Sequence, residues 1–150
     1  MTYIHTESTF ESAIVQSLVE HGGYMETSAA DFSRELALDK RQVISFLKET
    51  QPARWEKLAA VHGESIVNRI LQRLFKELDL RGTLDVLRNG IIDYGVRFEM
   101  AYFKPETKLN PETKALYDMN RLTVTRQVRY SQQNENSVDL VLGLNGLPVA

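Results

Sequence analysis

One carboxylate interrupts a stretch that should otherwise be apolar. Asp139 stands second in Val138-Asp139-Leu140-Val141-Leu142, whose other members are all aliphatic. A carboxylate in such a strand costs desolvation unless it meets a metal, a base or a hydrogen bond. Hard divalent cations such as Mg²⁺ take oxygen ligands from one or two carboxylates together with a substrate phosphate. A strand-borne Asp beside a hairpin with further acids is therefore a candidate metal ligand for phosphate chemistry. The plainer reading is a strand-end Asp with its head in water or capping a turn. The residue alone leaves both open.

Other chemistries find little support. No phosphate loop, dinucleotide glycine fingerprint or Gly-x-Ser-x-Gly elbow occurs. His5, His21 and His62 lack a second ligand at metal spacing and read as surface or helix-end residues. Trp55 and the stripe Tyr94, Phe98, Tyr102 read as core packing rather than a platform for bases.

The elements that must position Asp139 follow from local signals. Ser8-Thr9-Phe10-Glu11 matches a capping box, and Phe10, Ile14, Val15, Leu18 and Val19 follow at helical spacing as far as Gly22-Gly23. Asp39 is placed to cap a helix over 40–50 with Val43, Ile44, Phe46 and Leu47 in one stripe. Pro52 opens a third helix carrying Trp55, Leu58 and Val61. After Gly63, residues Ile66, Ile70, Leu71, Leu74 and Leu78 share one face of a longer helix. Thr83 then caps a short one that Gly90 closes.

The period changes at 94–103, where Val96, Phe98, Met100 and Tyr102 fall on one side of a strand. Asn110-Pro111-Glu112 starts a helix that runs to Met119. Leu122 to Tyr130, Val138 to Leu144, and Leu147 onward read as strands, with a turn at Asn134-Glu135-Asn136. The expected fold class is α+β, with N-terminal helices followed by a small mixed or antiparallel sheet. Residues 1–150 read as one unit without linker or repeat, and the strand ending four residues past Gly146 reads as a fragment of a longer protein.

At 150 residues the chain is long enough for one core. No apolar run approaches the roughly 20 residues that cross a bilayer. The N-terminus lacks signal-peptide regions, and the absence of cysteine makes a cytoplasmic setting the default. A net charge of −2 gives no global attraction to nucleic acid, but its distribution is uneven. Residues 1–39 hold seven acids against one base, whereas 104–130 hold six bases against three acids. A phosphate-facing surface with carboxylates near it is one reading of that contrast, and scattered solvated charge is the other.

Several long runs also occur together. They include Gly22-Gly23-Tyr24, Gly82-Thr83-Leu84-Asp85-Val86-Leu87-Arg88 and Ala101-Tyr102-Phe103-Lys104-Pro105. Asn120-Arg121-Leu122-Thr123-Val124-Thr125-Arg126-Gln127 and Asn134-Glu135-Asn136-Ser137-Val138-Asp139-Leu140-Val141-Leu142 follow, and Asn145-Gly146-Leu147-Pro148-Val149-Ala150 ends the series. With these runs the chain resembles, over nearly its whole length, the N-terminal region of the restriction (R) subunit of type I restriction–modification enzymes.

The resemblance implies a PD-(D/E)xK-type endonuclease core with Asp139 at the Asp position and as ligand to Mg²⁺. The Glu-x-Lys half is expected just beyond Ala150, so this piece is expected to be inert alone. A helix-borne Glu also lines the site in related folds, which makes Glu11 a candidate beside its capping-box role. Arg121, Arg126 and Arg129 are candidates for contact with DNA backbone phosphates, with a solvated or structural role as the alternative. The implied partners are double-stranded DNA and the methyltransferase (M) and specificity (S) subunits, and ATP serves motor domains absent from these residues. The rival reading is a non-catalytic DNA-binding or subunit-docking module using the basic 104–130 surface.

Strand parity offers a check. A two-residue turn at Asn145-Gly146 would oppose Leu144 to Leu147 and give Asp139 even-numbered partners, whereas the family's Glu and Lys fall at odd positions. The sequence-based expectation is therefore a three-residue loop, Leu144-Asn145-Gly146, with a bulge that restores the match.

Overall fold

The computed structural model describes residues 7–106, 110–129 and 137–150, with the side chains at 7, 8, 127–129 and 137–139 outside that description. The chain begins with α1 (Glu7–His21), β1 (Met25–Thr27), β2 (Phe32–Ser33) and β3 (Leu38–Asp39). A helical body follows: α2 (Lys40–Thr50), α3 (Pro52–His62), α4 (Ile66–Arg81) and α5 (Thr83–Asn89). Next come the hairpin β4 (Ile91–Asp93) and β5 (Val96–Phe98), then α6 (Pro111–Asp118). The chain closes with β6 (Leu122–Arg129), β7 (Ser137–Leu144) and β8 (Leu147–Pro148). The fold is α+β, and its four-stranded sheet has the order β1-β6-β7-β8.

The caps behave as their chemistry requires. The Asp39 carboxylate accepts from the Gln42 amide at 3.1 Å to start α2, and Asn110 accepts from Glu112 at 3.0 Å to start α6. The α1 helix spans Glu7–His21, so Ser8 and Glu11 stand within it, and the side chain of Ser8 lies outside the described residues. Thr83 likewise lies inside α5, whose N-cap is Gly82. The stripes of α2 and α4 bury Val43, Phe46, Leu47, Ile70, Leu71 and Leu74 in one core with Leu58, Val86, Ile91, Phe98, Met100 and Leu147.

The strand expected over 94–103 is only three residues long. Tyr94 and Gly95, at φ 47° and 76°, form a two-residue turn that folds Val96–Phe98 back onto Ile91–Asp93. Beyond Phe98 no strand continues the ladder. Instead the buried Gln51 side chain takes its place, accepting from the Glu99 N–H at 2.7 Å and donating to the Glu99 carbonyl at 2.9 Å. The alternation survives in burial, since Val96, Phe98 and Met100 are all interior. Tyr94 is not core: it is 71% exposed, and its ring meets His62 edge-on at 4.8 Å. His62 ends α3 as expected but is not isolated, because its Nε2 lies 2.8 Å from a carboxylate oxygen of buried Asp93.

The C-terminal hairpin corrects the sequence-based turn. Leu144 pairs with Leu147, so Asn145-Gly146 is a two-residue turn, with φ 53° and 90°. Positive φ at both positions matches the right-handed strand twist, which favours this turn over a three-residue loop. Tertiary contacts reinforce it. Gly146 lies so close to Val43 and the Asp39 carbonyl that a Cβ would overlap both, and its own carbonyl accepts from the Asp39 N–H at 2.9 Å.

A bulge is nonetheless present, farther along. The Leu142 carbonyl accepts from Val149 at 2.8 Å and from Ala150 at 3.4 Å, while the Leu142 N–H donates to the Ala150 carbonyl at 2.7 Å. One residue of β7 thus opposes two of the return strand, which shifts the register by one.

Asn145 is wholly buried and joins the turn to its surroundings. Its Oδ1 accepts from the Arg121 N–H at 2.7 Å, and its Nδ2 donates to the Met100 carbonyl at 2.9 Å and to Asn120 Oδ1 at 3.0 Å. Replacing it by Ala strands buried backbone groups and strains a positive φ, so Asn145→Ala should lose about 2–4 kcal/mol in urea unfolding. Asn145→Asp should recover only the acceptor half.

Burial pushes the Asp39 carboxyl above its ordinary pKa of 3.8, and the Gln42 amide only partly opposes this. Its raised folded value means that ionisation opposes folding as pH rises through and above that window. Asp39→Asn keeps a capping oxygen, so it should equal or exceed the unaltered chain in stability at pH 7 and lose that advantage below pH 3.8.

Candidate functional site

Three strands and one helix frame Asp139. Strand β7 carries it between Val138, paired with Val128, and Leu140, paired with Arg126. On the other side of β6 lies β1, parallel to it, with Glu26 opposite Val124 and Thr27 opposite Thr125. Sequence reasoning missed β1, because three residues flanked by Gly23 and Ser28 carry no strand period of their own.

Register separates two faces. Glu26, Val124 and Arg126 share one, and α1 lies over it: Arg126 Nη1 donates to Ser12 Oγ at 3.1 Å, and a cleft there is also lined by Val15, Gln16 and Val19. Glu11 lies one turn before the buried Val15 on this helix. Thr27, Thr125, Thr123 and Gly143 have the other parity. There the Thr27 and Thr125 hydroxyls lie 2.6 Å apart, and a Cβ on Gly143 would overlap the Thr123 hydroxyl. Asp139 occupies a register position of this second parity, with its side chain outside the described residues.

The arginines serve tertiary structure first. Arg121 crosses from the start of β6 to α2, donating to Gln42 Oε1 at 2.6 Å and to Glu49 Oε2 at 3.0 Å. Arg126 Nε lies 3.2 Å from Glu26 Oε1 but is not aligned for a hydrogen bond. Arg129 ends β6 opposite Ser137, and its side chain is outside the description. The turn expected at Asn134-Glu135-Asn136 also lies outside it. Among the described residues no three His, Asp or Glu side chains form a metal-holding group. No helix among them is long and apolar enough to cross a membrane.

The family model for the type I restriction enzyme R protein N terminus matches residues 4–150. The chain belongs to this family. No curated protein and no solved structure matches it. Within the family match fall the Asp139 strand, the Asn145-Gly146 turn and the Arg121 segment, and these are the parts that the buried Asn145 amide ties together.

Asn145 itself was read from the sequence only as a turn residue, and its buried amide was missed. A signal was there: an Asn at a φ > 0 turn position next to a run of buried aliphatics must satisfy its side chain inward. Gln51 and Glu26 gave no comparable signal.

The Arg126–Glu26 pair is partly exposed, so its coupling should be small. A double-mutant cycle with Arg126→Met and Glu26→Gln should return no more than about 1 kcal/mol, decreasing with added salt.

Proposed function

We propose that this chain is the N-terminal part of a nuclease domain of a type I restriction enzyme R protein, acting on DNA phosphodiester bonds. One observation carries the reading beyond family membership: the bulge at Val149-Ala150. The two-residue turn alone would set the positions following Ala150 out of phase with Asp139. Opposing Leu142 to two residues reverses that parity, so odd-numbered positions of a continuing strand join the face of Asp139, Val141 and Gly143. This is the parity that a Glu-x-Lys partner needs.

In this reading Asp139 is a ligand for Mg²⁺, a hard-oxygen donor of the kind that ion takes. One carboxylate is not a complete site, and the described residues add no cluster, so the remaining donors must come from elsewhere. When bound, the ion would polarise a phosphate oxygen and acidify the attacking water. The chain's own part is positional: Asn145, Gly146 and Asp39 hold the hairpin, which sets where along β7 Asp139 stands. Glu11 is assigned a lesser part, because its helix lies over the face of Glu26 and Arg126.

Arg121 and Arg126 act in this reading mainly by bracing β6, since both are engaged within the chain. Arg129, whose side chain lies outside the described residues, keeps its place in this reading as a candidate for backbone phosphate. The wider reading includes a cytoplasmic enzyme that works with M and S subunits and with ATP-driven motor domains.

Asp139→Ala in the complete R protein should abolish DNA cleavage while ATP hydrolysis continues. Residues 1–150 with Mg²⁺ and plasmid should give no cutting. Cleavage surviving Asp139→Ala, or robust cutting by residues 1–150, would favour a different ligand set. Loss of both activities together would instead favour a docking role for this unit.

A further inference from the structure

A cavity of about 500 Å³ opens where the 101–104 segment, the end of α6 and strands β6 and β7 meet. Its wall is apolar, formed by Ala101, Leu122, Leu144 and the ring of Tyr102, which leans on Phe46. Phe103 and Tyr117 stand at its mouth, 55% and 37% exposed, and Lys104 is exposed beside them.

The polar lining residues have their partners already. The Asn120 amide donates to the Tyr102 and Tyr117 carbonyls and accepts from the Tyr102 N–H and from Asn145. Asp118 is taken up by Lys114 at 3.2 Å. The lining therefore offers aromatic faces, an aliphatic wall and the Lys104 ammonium, and its one carboxylate, Asp118, is in an exposed ion pair with Lys114.

Aromatic rings beside a cation suit a base with its phosphate. The volume is within the range of small-ligand pockets, which is enough for one nucleotide. The cation of the lining is Lys104, which opens a segment, 104–130, whose formal charge is net positive. Stacking is available to any base, whereas the committed Asn120 amide is not available to read base edges.

We propose that this cavity takes an unpaired nucleotide of a DNA strand, its base stacked on Phe103 and Tyr117 and its phosphate on Lys104. The choice of DNA rests on the nuclease reading above. The site is distinct from Asp139, because Leu144 stands five residues farther along β7, roughly 17 Å at the usual rise per residue. It would hold a frayed or displaced strand while the hairpin acts elsewhere on the same molecule.

Fluorescence anisotropy of residues 1–150 with labelled oligothymidine, and with the matching duplex, tests this. Phe103→Ala should weaken single-strand binding about tenfold and leave duplex binding unchanged. Lys104→Gln should reduce the slope of log affinity against log salt by about 0.7. With the unaltered chain, a strand carrying 5-iodouracil should photo-crosslink to Phe103 or Tyr117. Absence of single-strand binding, equal binding by Phe103→Ala, or adducts confined to other regions would overturn the proposal, and absent binding would point to a peptide as occupant.

Asp139→Ala should leave this binding intact. If cleavage survives Asp139→Ala while Phe103→Ala still loses the strand, the nuclease assignment falls and the nucleotide site stands. The converse result removes only the nucleotide site.

Discussion

The buried side chain of Asn145 binds the backbone of Arg121, the backbone of Met100 and the amide of Asn120 at once. Those partners belong to the start of β6, the segment after β5 and the end of α6. A buried amide left unmatched costs more than the net gain of any one of its bonds, so the three segments must arrive together. The Asn145 N–H also donates to the Arg121 carbonyl at 2.9 Å, which makes the exchange with Arg121 reciprocal. The hairpin cannot slide by one residue without breaking this set.

Neighbouring constraints act in the same direction. Gly146 is packed against Val43 and Asp39 with no room for a Cβ, and Asp39 caps α2 while its N–H binds the Gly146 carbonyl. Arg121 then reaches from the hairpin to Gln42 and Glu49 on the same helix. The first helix of the body and the C-terminal hairpin are thus joined by apolar contact, backbone hydrogen bonds and one arginine. The bulge at Val149-Ala150 is what remains free to set parity once the turn is held so firmly.

This arrangement also redistributes the basic residues. Read linearly, 104–130 is a positive segment, and its arginines look available to phosphate. In the fold Arg121 and Arg126 face acids or polar groups from distant parts of the chain, including Glu49 and Glu26. Among the described residues of the segment, Lys104 is an exposed cation that borders a cavity, beside Phe103 and Tyr117. Packing thus engages Arg121 and Arg126 that the linear charge pattern left open.

Helices α2, α3, α4 and α6 were legible because their signals are local: a capping side chain, a proline in the first turn, a 3.6-residue stripe. Strands β6 and β7 were legible for the same reason, and so was Asp139 as an anomaly within one of them. The long strand from Tyr94 misled because alternation in burial persisted after strand pairing had ended, with the Gln51 amide replacing a partner strand.

By itself, then, the sequence determined the α+β class, most helices, the C-terminal hairpin and the family resemblance. Only the tertiary structure decided the parallel pairing of β1 with β6, which joins Thr27 and Thr125 across 98 residues, and the placement of the bulge. Such features depend on whether distant groups find hydrogen bonds and space at the same moment. No local period encodes that.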